Sequence, residues 1–177
     1  PAHSHDARPT LEQLTSSSQD RYENRPTQIV NNHIISLQNN FFISDNTLKI
    51  DLAHSNNKLQ EFEKWTRAEY DTELSSSQLN ISYIKLFNPS FKWTFGSQSA
   101  IQNNKNNPTT SQLIPDAKTN DLGIFSNLDY VINNWSFLFG MRYDYRDIKA
   151  ESFSYENDFN AFSSSLGFSK AFNDHKL

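Results

Sequence analysis

The chain opens with two imidazoles and a carboxylate in the run His3-Ser4-His5-Asp6, its one compact group of possible metal ligands. Alternate spacing directs both rings to one side of an extended loop, and imidazole suits zinc. A structural zinc takes four ligands, so His3, His5 and Asp6 do not complete a site by themselves, and a solvated loop is the plainer reading. Asn103, Asn104, Lys105, Asn106 and Asn107 offer amide donors and acceptors to a polar ligand, against the simpler reading of low-complexity loop. Glu61, Glu63, Glu69, Asp71 and Glu73 suggest acid–base pairs or hard-cation binding, although a solvated charged loop explains them more simply. Arg142, Asp144 and Arg146 stand at alternate positions and suit an ion-pair ladder on one face, or a contact that holds a second domain. His33 and His54 are isolated. No nucleophile elbow and no recognisable triad accompany the many serines, so an enzyme is not expected.

The elements that carry these residues are strands. In Trp135–Tyr145 the residues Trp135, Phe137, Phe139, Met141, Tyr143 and Tyr145 share one face, against Ser136, Leu138, Gly140, Arg142 and Asp144 on the other. Leu48, Ile50 and Leu52 alternate with Lys49, Asp51 and Ala53, and Phe91, Trp93, Phe95 and Ile101 with Lys92, Thr94, Gly96 and Gln98. Phe162, Leu166, Phe168 and Phe172 face a row of Ser and Gly. Weaker alternation over Ile29–Ile43, Leu79–Phe87 and Leu122–Ile132 brings the total to about seven strands.

Two kinds of connection alternate. Short turns fall at Ser44-Asp45-Asn46, Asn88-Pro89-Ser90, Asn133-Asn134 and Asn173-Asp174-His175. Long polar connections run roughly over Ser55–Thr72, Gln102–Ala117 and Asp147–Asn160, and the N-terminal residues 1–26 read as the end of another. Tight turns below and long loops above are the habit of outer-membrane barrels.

Composition agrees with a wall between two solvents. Hydrophobic residues make up 36% of the 177 residues, too few for a large dry core, yet there are 14 Phe, seven Tyr and three Trp. A net charge of −4 with scattered cations gives no footprint for nucleic acid. There is no cysteine, hence no disulfide or thiolate metal site. No run reaches the ~20 apolar residues of a spanning helix, and PAHSHDARPT has no signal-peptide core. Because charge in lipid is costly, Arg142, Asp144 and Arg146 are expected to face a wet lumen. Lys85 and Lys170, near short turns, are expected to snorkel.

The segment Gln98–Arg146 resembles the barrel of TonB-dependent receptors. Its motifs are the Asn-rich stretch Gln102–Asn107, then LIPDA at Leu113–Ala117, then Asp121-x-Gly123-x-Phe125, a tight turn, and Trp135-x4-Gly140-x-Arg142-Tyr143-Asp144. The resemblance extends more loosely from the HSHD segment through Phe168. It implies a closed barrel of 22 strands, which about seven strands cannot close. The expected fold is therefore all-β, an antiparallel up-and-down meander forming an open slice of a large transmembrane β-barrel. Residues 1–26 would be an extracellular loop end and 27–177 a partial barrel, with the plug, TonB box and targeting segment lying outside the chain.

The resemblance further implies active uptake of a scarce nutrient, a ferric siderophore, haem, cobalamin or a metal ion, across the outer membrane of a Gram-negative bacterium. The implied partners are outer-membrane lipid, the nutrient, and the TonB complex acting through the plug. No cofactor is implied. The HSHD run resembles the His-rich outer-loop segment of receptors linked to zinc or haem, and Trp65, Trp93 and Trp135 suit aromatic girdles, with Trp65 in an outer loop. The competing reading is a soluble carbohydrate-binding or adhesive β domain whose aromatics stack on sugars.

Overall fold

In the computed structural model, residues 26–63, 67–107 and 114–172 are described. They form one sheet of seven strands in sequence order: β1 (Thr27–Ile43), β2 (Asn46–Phe62), β3 (Tyr70–Asn88), β4 (Phe91–Asn106), β5 (Ala117–Ile132), β6 (Trp135–Ala150) and β7 (Tyr155–Lys170). Every neighbouring pair is antiparallel, so each strand pairs only with those beside it in sequence, and β1 and β7 are the sheet's two edges. The expected all-β meander, an unclosed slice of a barrel, is what forms.

The sheet has a single layer. Only Tyr70 and Ala150 are buried among the described hydrophobic residues, and no large side chain is fully buried. What organises the sheet is the pleat, because alternate side chains must leave by opposite faces and register fixes which residues share a face. Pairings Leu128↔Phe139↔Leu166 and Ile124↔Tyr143↔Phe162 place aromatic and aliphatic residues together. The same face carries Phe41 against Leu48, and Ile50 against Ile81. The opposite face carries Lys92 against Asp129, Asp121 against Arg146, and Gly140 against Ser165.

At the short-turn end the apolar face becomes a belt of rings. Phe87 stacks on Phe91 at 5.0 Å, Phe91 meets Tyr130 edge-on at 6.2 Å, and Trp135 lies 6.1 Å from Phe137 and 6.2 Å from Phe168. Two lysines at this end of the face sit over rings, Lys85 at 4.6 Å from Phe87 and Lys170 at 5.1 Å from Trp135. Their charges thus gain a π partner where a chain leaves an apolar environment for a wet one. Trp93 donates its indole N–H to Ser126 Oγ at 2.8 Å, so that this donor is paired on the apolar face.

The turns obey local chemistry. Ser44 (φ 55°) and Asn133 (φ 53°) adopt the left-handed conformation at two-residue hairpin turns. Asn88 accepts the Ser90 amide at 2.9 Å, an Asx turn before β4. The β3–β4 pairing has a register irregularity between Leu86 and Asn88, and on the other side of β3 the Leu86 amide donates to Asn46 Oδ1 of β2 at 3.1 Å. The turn expected at Asn173-Asp174-His175 lies outside the described residues.

The long connections are shorter than the sequence suggests. Strand pairing continues to Phe62 and resumes at Tyr70, continues to Asn106 and resumes at Ala117, and continues to Ala150 and resumes at Tyr155. The strands have 16–19 residues, whereas ~9–11 tilted residues span a bilayer. The additional residues at the long-loop end are mostly polar, and their few apolar residues, such as Leu59 and Phe62 of β2, fall on both faces and give no apolar alternation. They are still strands because the backbone ladder does not depend on side-chain polarity.

Candidate functional site

The polar face of β4, β5 and β6 gathers the charged residues that the sequence singled out. Arg142 holds Asp144 two residues along its own strand, with Nε at 2.9 and 2.8 Å from the two carboxylate oxygens and Nη2 at 2.6 Å from Oδ1. Its Nη1 donates to Gln98 Oε1 at 2.6 Å, across β5 to β4. Arg146 grips Asp121 in a two-point fork, at 2.5 Å from Nε and 2.9 Å from Nη2. Planar guanidinium groups suit such bidentate pairing, which orients as well as attracts. These pairs are partly exposed, so their value lies in fixing a mosaic of donors and acceptors rather than in stability.

The spacing Asp121-x-Gly123-x-Phe125 has a direct physical account. All three residues lie on the polar face of β5, and each accommodates a different neighbour. Asp121 takes Arg146, Gly123 lies beneath the guanidinium of Arg142, and the ring of Phe125 covers Gly96 of β4. In the later motif Gly140, Arg142 and Asp144 are likewise alternate residues of one face. Gly140 there lies beneath Asn127 and Ser165. Lys92 and Asp129 add a pair at 3.0 Å nearer the short turns.

A second polar assembly closes the long-loop end. Asn106 donates its backbone N–H and its side-chain amide to Asp116 Oδ1, both at 2.7 Å, and the same amide reaches the Ile114 carbonyl at 2.7 Å. Asn104 donates to the Pro115 carbonyl at 3.0 Å and accepts from Thr72 Oγ1 at 3.0 Å. Beside it the buried carboxylate of Asp71 accepts from Gln60 at 2.8 Å and Asn107 at 3.3 Å, with Lys58 Nζ at 3.8 Å. The Asn-rich run and the LIPDA segment are therefore two halves of one clasp. Asn104 and Asn106 are structural partners rather than filler, which composition alone conceals.

Asp116→Ala leaves two donors of Asn106 without their acceptor, at a cost of ~1–3 kcal/mol for buried groups. Amide exchange at Asn106 should accelerate by roughly tenfold or more, while exchange near Phe137 stays unchanged. Equal exchange at both places in the variant and the parent would show that the clasp carries no weight.

Other residues singled out by sequence fall apart from these assemblies. His33 and His54 lie on the apolar face, where His54 Nδ1 bonds Ser77 Oγ at 2.9 Å. Glu61 receives Gln28 at 2.9 Å and Glu73 receives Asn56 at 2.6 Å, so these acids serve cross-strand bonds. Trp93 and Trp135 join the aromatic face, and Trp65 lies outside the described residues. His3, His5 and Asp6 also lie outside them. No group of three or more His, Cys, Asp or Glu placed to hold a metal occurs among the described residues. The interactions missed by sequence are the long-range ones, Gln98 with Arg142 and Asp121 with Arg146.

Comparison with known families matches residues 3–177 to the family described as TonB dependent receptor-like, beta-barrel. A search of curated proteins finds no match.

Proposed function

Because this chain belongs to the TonB-dependent receptor β-barrel family, we propose that it forms a sector of the wall of an active nutrient transporter in the outer membrane of a Gram-negative bacterium. The observation that carries this reading is the segregation of the two faces. Trp135, Phe137, Phe139, Met141, Tyr143 and Tyr145 present an apolar surface of the kind lipid requires, while Gln98, Asp121, Arg142, Asp144 and Arg146 form a wet surface behind it. The aromatic belt and its two lysines suit the periplasmic interface.

On this reading residues 1–26 end an extracellular loop and residues 27–177 belong to the barrel. The wall binds and orients rather than breaking bonds. Its long-loop ends contact a scarce nutrient, a ferric siderophore, haem, cobalamin or a metal ion such as zinc. A plug within the full receptor couples release to the TonB complex. His3, His5 and Asp6 are the residues of this chain suited to meet a metal cargo at the outer surface.

The test is uptake by cells expressing the intact receptor, with radiolabelled ferric siderophore, haem, cobalamin and zinc presented separately. One class should accumulate, and collapse of the proton gradient should stop accumulation while surface binding persists. No energy-dependent uptake of any of the four classes would sink the reading. If zinc is the class taken up, the triple variant His3→Ala, His5→Ala, Asp6→Ala should lower its uptake, and unchanged zinc uptake would remove those residues from the mechanism.

A further inference from the structure

Strands β4, β5 and β6 carry three outward-facing lysines above the apolar band, Lys118 and Lys149 directly paired and Lys105 two residues further toward the long loops. On β4 the last apolar residue of that face is Ile101, on β5 Leu122 and on β6 Tyr145; Lys105, Lys118 and Lys149 each follow by four residues away from the short turns. Four residues place a side chain on the same face, so all three lysines point the same way as the lipid-facing residues beneath them. A rise of ~3.4 Å per residue at a tilt of ~40° lifts them about 10 Å above that apolar edge. The polar headgroup layer, ~5–7 Å deep, ends just below this height, and lysine stems snorkel back toward it.

These charges are placed at a cost. Lys118 and Lys149 are direct cross-strand partners, an unfavourable arrangement for like charges. Lys149 is bound to Glu156, but Lys105 and Lys118 have no acidic partner among the described residues. The acids nearby are engaged or offset: Glu73, opposite Lys105, accepts from Asn56, and Asp147 accepts from Asn120. Asp158, opposite Asp147, is exposed and lies one step nearer the apolar band. Below Lys105, Ile101 forms the β4 wall of a lipid-facing groove of about 510 Å³ that runs across β3 and β2 to β1, with Leu79, Leu52 and Leu37 along it and Ser77 and Ser99 at its floor. The small serines open the groove between bulkier aliphatic walls.

We propose that Lys105, Lys118 and Lys149 form a binding surface for an anionic, phosphate-bearing lipid of the outer leaflet, whose phosphate lies between the lysines and whose acyl chain enters the groove that begins below Lys105. The lysines supply charge complementarity, and the groove is continuous with the surface that meets the bilayer. A phosphate between Lys118 and Lys149 removes their mutual repulsion. This inference rests on the barrel reading, which gives the apolar face its lipid.

The probe is bisphosphorylated lipid A and its dephosphorylated counterpart with the same chains, each titrated by native mass spectrometry onto the intact receptor in neutral detergent. The parent should hold the phosphorylated form about tenfold more tightly. The triple variant Lys105→Ala, Lys118→Ala, Lys149→Ala should lose that preference and keep its affinity for the dephosphorylated form. The corresponding triple arginine variant should retain the preference, as should Lys49→Ala on the lumen-side face.

Equal affinity of the parent for the two lipids would overturn the proposal, as would an unchanged preference in the triple alanine variant. Displacement by an equal concentration of inorganic phosphate would overturn it too, since the site would then take a free anion. Heat-modifiable migration in gels reports the barrel separately. Its loss in the parent would overturn the barrel reading, whereas a heat-modifiable protein without phosphate preference would overturn only the lipid site.

Discussion

Phe139→Arg should destabilise the intact receptor in vesicles by roughly 2–4 kcal/mol, the cost of an arginine at the bilayer midplane. Leu138→Arg, one residue away, should cost under about 1 kcal/mol, because the lumen side is wet. Composition cannot separate these two positions, since both are apolar and both are exposed in the sheet, Phe139 by 37% and Leu138 by 46%. Register does separate them. Phe139 lies between Leu128 and Leu166, near the middle of the apolar run Trp135–Tyr145, while Leu138 lies between Asp129 and Gly167. An arginine at 138 acquires Asp129 as a neighbour, and one at 139 acquires Leu128, Leu166, Phe137, Met141 and lipid. Urea titration of both variants refolded into phosphatidylcholine vesicles measures the difference directly. Equal costs at the two positions would mean that the two faces see the same solvent, and a transmembrane wall would be untenable.

The same alternation explains how much of the fold was legible beforehand. Where one face meets an apolar medium and the other water, selection imposes a period of two, and the faces of Trp135–Tyr145 and Leu48–Leu52 could be read directly. Beyond the apolar band both faces are wet, so segments such as Lys58–Phe62 and Gln102–Asn106 look like loop although they belong to β2 and β4. Side-chain partners followed a similar rule. Arg142 with Asp144 is a two-residue relation within one strand and was visible as a possible ladder. Gln98 with Arg142 spans three strands and depends on the register of two pairings, which no local pattern encodes. The clasp of Asn104 and Asn106 onto Ile114–Asp116 was hidden for a different reason, because asparagine-rich runs have the composition of solvated loop whether or not their amides are used. The HSHD run was legible only as a set of ligand types, and its partners, if it binds metal, must come from elsewhere in the receptor.

Gly96→Ala and Gly123→Ala should differ sharply although both glycines lie on the polar face of adjacent strands. A Cβ at Gly96 would stand 2.3 Å from the backbone carbonyl oxygen of Ile81 and 2.9 Å from Phe125 Cζ. The ring can tilt, but the carbonyl belongs to the β3 ladder, so relief requires moving two paired strands. Overpacking of this kind costs ~1–3 kcal/mol. At Gly123 the obstructing atoms are Arg142 Nη2 at 2.2 Å, Asp144 Oδ1 at 2.7 Å and Arg142 Cζ at 2.9 Å, all parts of side chains that can swing into the lumen. The backbone should therefore survive Gly123→Ala with a loss under about 1 kcal/mol, typical of partly exposed ion pairs. What it should lose is order: with Arg142 lifted, its bond to Gln98 breaks and the link from β6 across β5 to β4 disappears. Urea titration should thus rank Gly96→Ala as the more destabilised, while guanidinium resonances of Arg142 should shift strongly only in Gly123→Ala. The reverse ranking would show that the Arg142 bridge, rather than the backbone contact between β3 and β4, is the rigid element of this face. In either case, Arg142 can reach β4 only because the residue beneath it on β5 has no side chain.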